Sequence, residues 1–206
     1  MKCLVILAHP KKNSFNHAIA AAAVARLQAN AHEVRFHDLY KEQFDPVLPH
    51  SEIPKDAPLP PEIERHCLEA ASADGIVIVH PNWWGQPPAI LKGWVDRVFR
   101  PGVAYEFLEG DQGEGTPVGL LKARTAIVLS TSNTAPEREL KVFGDPLDTL
   151  WKNCIFGLCG VKRFYRKNFG IVVISSQEER RRWLAEVEEI LDRHFPAQDP
   201  LTQFRH

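Results

Sequence analysis

An α/β domain with a doubly wound, five-stranded parallel sheet is predicted by three features of this 206-residue chain. Short continuous apolar runs at 3–8, 76–79 and 126–129 have the character of central parallel strands, which are buried on both faces. Segments with apolar residues at helical spacing separate them, so strand and helix alternate along the chain. Each run also stops abruptly in a polar or proline-rich loop, at His9-Pro10, His80-Pro81 and Thr131-Ser132, as expected where a ligand sits beyond the carboxyl ends of such a sheet.

In order, the chain predicts a strand over 2–8, a helix over 16–29 and a strand over 33–39. A helix over 61–71, a strand over 75–80 and a helix over 88–99 follow, the last with Ile90, Leu91, Trp94, Val95, Val98 and Phe99 on one face and Pro87 or Pro88 in its first turn. The second half gives a strand over 125–130, a helix over 145–158, a strand pair or bulged strand between Val161 and Ile174, and a charged helix over 177–195. Five parallel strands with flanking helices imply the flavodoxin-like strand order 2-1-3-4-5, with the loops after strands 1, 3 and 4 converging at the switch point. One domain over 1–206 accounts for the length; the proline-rich excursion 45–61 is expected to wrap the surface and the polar tail 196–206 to be mobile.

A net charge of −1 and a pI near 6.8 give no basic stripe for nucleic acid or an anionic membrane. The apolar runs are far shorter than the roughly 20 residues that span a bilayer, so a cytoplasmic protein without membrane insertion is expected. Cys3, Cys67, Cys154 and Cys159 have neither zinc-site nor disulfide-framework spacing and read as buried free thiols. His32 and His37 read as surface histidines on opposite strand faces, and no metal is expected. His17 reads as facing solvent from the first helix.

Chemistry concentrates in three loops. After strand 3, Pro81-Asn82-Trp83-Trp84-Gly85 makes a stiff aromatic wall suited to a flat heteroaromatic ligand, a flavin first among them; two adjacent Trp cannot both face one core. After strand 1, Asn13-Ser14-Phe15-Asn16 caps an Ala-rich helix whose free amides and positive dipole end suit a phosphate, without any GxGxxG or Walker pattern. After strand 4, Ser132-Asn133-Thr134 offers small polar groups of the kind any turn also uses.

His9, the run Asn13 to Asn16 and, above all, Pro88-Ala89-Ile90-Leu91-Lys92-Gly93-Trp94-Val95-Asp96-Arg97-Val98-Phe99 resemble the NAD(P)H:quinone oxidoreductase family over nearly the whole chain. The resemblance implies a homodimer that binds FAD or FMN, takes hydride from NAD(P)H through flavin N5, and passes two electrons to quinones or similar acceptors. It would place His9, Ser14, Phe15 and Asn16 at the flavin phosphates and Pro81, Asn82, Trp83, Trp84 and Gly85 along the ring. The family's Thr-Thr-Gly-Gly stretch is replaced by Ser132-Asn133-Thr134-Ala135, and its Tyr and His fall on Glu137 and Phe143, leaving no assigned catalytic side chain. The 45–61 excursion, Asp96 and Arg180 tilt the cofactor towards FAD, although Arg180 reads equally well as part of a solvated helix start. A regulatory flavin-containing subunit of a potassium efflux system and a one-electron flavodoxin are the competing expectations.

Overall fold

The computed structural model describes residues 1–108 and 115–197. Strand β1 (Lys2–Leu7) leads into helix α1 (Phe15–Ala29), strand β2 (Glu33–Asp38), helix α2 (Pro61–Ser72), strand β3 (Gly75–Pro81) and helix α3 (Ala89–Val98). The short strands β4 (Tyr105–Glu106) and β5 (Val118–Gly119) precede strand β6 (Thr125–Thr131) and helix α4 (Pro136–Lys141). Helix α5 (Pro146–Asp148) runs into a π-helical stretch, Thr149–Gly157, ahead of strand β7 (Arg163–Phe169) and helix α6 (Gln177–His194).

The main sheet is parallel with order β2-β1-β3-β6-β7, the expected 2-1-3-4-5 arrangement. Alternation along β1 divides the core: Cys3, Val5 and Leu7 pack with α1 and α6, whereas Leu4 and Ile6 pack with α2, α3 and the π-helical stretch. Leu91 and Val98 are fully buried on the second face, and each such burial stabilises by about 2 kcal/mol. Helix α1 forms because its alanines are the best helix formers and Ser14 caps it; α6 opens with a capping box between Ser176 and Glu179.

Several elements depart from expectation. The last strand is single and ends at Phe169, opposite Thr131 where β6 ends; with no ladder partner beyond, Val172–Ile174 forms a 3-10 turn instead of a second strand. Pro88 is the cap preceding α3, whose first residue is Ala89. The 45–61 excursion, by contrast, runs over the surface with only Glu52 buried, and is anchored there because Arg97 of α3 binds Glu52 and the Asp45 carbonyl while Arg100 donates to the Pro54 and Lys55 carbonyls. Gly93 lies so close to this segment that an added Cβ would stand 2.1 Å from the Pro46 oxygen. Beyond Ala197 the expected mobile tail lies outside the described residues.

The histidines also differ. His32 and His37 are buried, His32 against the Phe195 carbonyl and His37 between Glu42 and Glu69. His17 is half-buried, with Nδ1 against Ser14 Oγ at 2.8 Å and Nε2 at 3.3 Å from Asp38. Cys3, Cys67 and Cys159 are buried, with burial pushing each thiol up to about 11, but Cys154 is exposed. No helix among the described residues is long and apolar enough to cross a membrane.

Candidate functional site

The carboxyl ends of β1, β3 and β6 lie along one sheet edge and bring their loops together. In the first loop, Asn13 takes the left-handed conformation at φ 59° and delivers Ser14 to the cap of α1. Ser14 Oγ accepts the His17 N–H, while the amides of Phe15 and Asn16, in the first turn, have no partner within the helix. His9 Nδ1 accepts the Lys11 N–H at 3.1 Å, and burial lowers its pKa, so the ring is neutral near pH 7.

In the second loop, Trp83 and Gln86 exchange two backbone hydrogen bonds of 3.0 Å around Trp84 and Gly85, both at positive φ. This is a two-residue hairpin turn of the kind that requires left-handed residues at both central positions. Gly85 also abuts Pro146, which leaves no room for a Cβ. Neither Trp joins the core: Trp83 is partly exposed and Trp84 fully so. Beneath the loop, fully buried His80 accepts from Trp151 Nε1–H at 3.0 Å and bonds the Pro81 carbonyl through Nδ1 at 2.8 Å. Burial pushes its pKa down to about 4.

The third loop is largely self-satisfied. Ser132 Oγ donates to the Thr134 carbonyl and accepts from Asn168, while Asn133 Oδ1 accepts the Val173 N–H. These side chains therefore shape the loop.

All of the residues expected at the site except Trp84 and Gly85 line one cleft of about 530 Å³, together with Lys11, Asn13, Thr131, Val172, Val173 and Arg180. Trp84 and Gly85 form the turn tip outside its lining. A further hollow of about 310 Å³ shares Asn13, Ser14, Phe15 and Arg180 with the cleft and continues past Gln177 and Leu184. Arg180 lies over the Phe15 ring at 5.8 Å and donates to Ser175 Oγ and the Val172 carbonyl, so it belongs to this wall and is no free surface charge. A larger groove of about 890 Å³ runs along the outer face of α1 to Phe36 and Asp38; residues 12–14 are its part of the first loop. Asp96 is exposed and paired with Lys92, and the 45–61 excursion does not line the cleft. Glu137 and Phe143 are exposed and do not line it either.

Two atoms of this wall are left without partners. Asn16 donates from Nδ2 to Thr131 Oγ1 and Asn82 from Nδ2 to Glu139 Oε1, each at 2.8 Å, but the buried Oδ1 of each amide has no hydrogen bond. Buried acceptors normally find a donor, which sets these two oxygens apart from the other polar atoms of the cleft lining. Glu139 escaped sequence reasoning because it sits in a run of charged residues; only its partner 57 positions away reveals it.

Elsewhere, His37, Glu42 and His66 place ligand-type atoms within 4.8 Å of one another. Trp94 Nε1–H donates to His66 Nδ1 at 3.2 Å, which leaves the ring proton of neutral His66 on Nε2, facing Glu42. A metal there would need that lone pair, so the geometry favours a hydrogen-bonded cluster.

A family model described as flavodoxin-like fold matches residues 1–191. An uncharacterized NAD(P)H oxidoreductase of Haemophilus influenzae is 33% identical over 88% of this chain and 89% of its own length. The chain belongs to the NAD(P)H:quinone oxidoreductase family. Another family member, NAD(P)H dehydrogenase [quinone] 1 of Cavia porcellus, is 36% identical over 52% of the chain, an alignment that spans about half of that longer relative, 46%. Among solved structures of the family, the NAD(P)H:quinone oxidoreductase from Methanothermobacter marburgensis superposes with a TM-score of 0.78 at 25% identity, covering 97% of this chain and 98% of that one.

Proposed function

We propose that this protein is a flavin-dependent oxidoreductase that draws two electrons from NAD(P)H and passes them to quinones or similar small acceptors, with FAD in the cleft. The observation that carries the reading is the pair of buried, unpartnered amide oxygens, Asn16 Oδ1 and Asn82 Oδ1, on a cleft that also receives the start of α1. Free first-turn amides of Phe15 and Asn16, with Ser14 and neutral His9 beside them, fit a phosphate. Pro81, Asn82 and Trp83 fit a planar ring, and the Trp84-Gly85 turn holds that segment in place. The hollow beyond Arg180 has room for a second nucleotide half, which favours FAD over FMN.

When bound, the flavin supplies the hydride chemistry that amino-acid side chains lack. The chain's own residues bind and orient. Trp83 offers a face for stacking, and the self-bonded Ser132 loop keeps the polar edge fixed while its side chains make no competing bonds. With Glu137 and Phe143 outside the cleft lining, the proton that completes acceptor reduction comes from water. A second copy of the chain closes the open side, its natural seat being the exposed apolar residues Trp84, Leu140, Val142 and Phe143.

The test is the visible spectrum of the freshly purified protein, followed by anaerobic addition of NADH or NADPH and mass determination of the released cofactor. A flavin spectrum that bleaches, with the mass of FAD, is expected. A colourless protein that takes up neither flavin refutes the reading, and a flavin that never bleaches refutes the enzyme.

A further inference from the structure

Helix α4 is short and mostly solvated: Glu137, Arg138 and Leu140 are exposed, yet Glu139 between them is only 7% exposed. Its carboxylate turns inward to accept from Asn82 Nδ2 at 2.8 Å. Glu139 itself does not line the cleft, whereas Asn82 does, so the carboxylate stands behind the amide. An ionised carboxylate only accepts hydrogen bonds, and an amide has one donating and one accepting end. The contact therefore admits a single orientation of Asn82, NH2 towards Glu139 and Oδ1 away from it. Thr131 Oγ1, which holds Asn16, can donate as well as accept and imposes no such direction.

We infer that Glu139 is a positioning residue of the cofactor cleft, which locks Asn82 as a hydrogen-bond acceptor so that this wall takes a donor hydrogen of the bound flavin. The inference rests on the flavin reading above. It explains two otherwise costly features together: a carboxylate withdrawn from water on an exposed helix, and an amide oxygen buried without a partner. The lock works through direction, not charge at the ligand. With the carboxylate replaced by an amide, Asn82 divides between two orientations before ligand arrives, and binding must select the one that presents Oδ1.

The decisive experiment is a double-mutant cycle on flavin affinity, measured by titrating FAD into apo-protein and following flavin fluorescence, with melting temperatures recorded in parallel. Glu139→Gln keeps the shape and a hydrogen bond to Asn82 in either orientation. It should weaken FAD binding by about twofold, the cost of selecting one of two equally bonded orientations, with little change in the melting temperature of the apo-protein. In the Asn82→Leu background, which has no amide to orient, Glu139→Gln should have no further effect on affinity. Unchanged FAD affinity in Glu139→Gln, or an equal loss in both backgrounds, overturns the inference while leaving the flavin reading intact. Wild-type protein that takes up no FAD overturns both.

Discussion

The Arg97–Glu52 pair offers the sharpest test of what holds the 45–61 excursion against helix α3. The side chains are 4% and 3% exposed, and the guanidinium meets the carboxylate through two bonds of 2.6 and 3.0 Å. A third bond, 2.7 Å to the Asp45 carbonyl, ties the same side chain to the start of the segment. Such a pair is costly to dehydrate but costlier to break, because removing one partner strands a buried charge, typically at about 3–5 kcal/mol. Glu52→Gln retains one acceptor but sets an NH2 against the guanidinium donors, which places the expected loss near the lower end, about 3 kcal/mol. For a chain of this size that lowers the melting temperature by roughly 6–12 °C. The double variant Arg97→Met with Glu52→Leu removes both charges and should recover most of the loss. Urea unfolding gives the free energies, and limited proteolysis shows whether cleavage within 45–61 rises first. A loss below about 1 kcal/mol for Glu52→Gln, or a double variant as unstable as the two single losses added together, refutes the argument.

Gly93→Ala would stabilise an exposed helix by about 1 kcal/mol, but here the new Cβ meets the Pro46 backbone at 2.1 and 2.5 Å, so unfolding in urea should report a loss of about 2 kcal/mol or more. Ser14→Asp preserves the cap of α1 and should leave stability within a few tenths of a kcal/mol; its charge at the proposed phosphate end should lower flavin occupancy on purification, and full occupancy would contradict the assignment. Burial holds His80 and His66 at about 4, below the 6.5 of the unfolded chain, so between those values the unfolded state binds more protons and stability falls as pH falls. The penalty reaches up to about 3 kcal/mol for each. His37 opposes it: burial lowers its pKa, but bonds to Glu42 and Glu69 raise it further, so it adds stability below 6.5 that is lost as pH rises through its folded value. His80→Gln keeps an acceptor for Trp151, and its stability relative to wild type should improve from pH 7 to pH 5; a constant difference would remove His80 from the account.

The central strands were legible because a parallel strand covered on both faces must be continuously apolar, as Ile76–Val79 and Ala126–Leu129 are. The first helix was legible because its cap is local, Ser14 standing directly before the Ala-rich run. The edge strand β7 was less so: Arg163–Phe169 is mostly half-buried, and its end is set by where β6 stops, information that its own residues do not carry. Helix α4 carries a readable sign, Pro136 at its first position with Glu137 and Glu139 in the first turn, but its six residues are too few to show a helical period. His32 and His37 were misplaced because their partners, Phe195 and Glu69, are distant in sequence. In the cleft, residue types pointed to loops that the structure brings together, but the commitments of Ser132 and Asn133 to their own surroundings depend on Asn168 and Val173.

Thr131, the last residue of β6, has a wider reach than its size suggests. Its hydroxyl holds Asn16, its carbonyl accepts the Asn82 N–H at 2.7 Å, and the adjacent Ser132 is bonded through its backbone to Phe169 and Val172. Three segments around the cleft are thus stitched to one short piece of chain. Their mutual placement is settled when the sheet folds, so a ligand entering the cleft finds its walls standing, and little ordering entropy is charged against its affinity. The same stitching makes the walls interdependent: a substitution that shifts Thr131 misaligns the first and third loops together, and the cleft loses its mould as a unit.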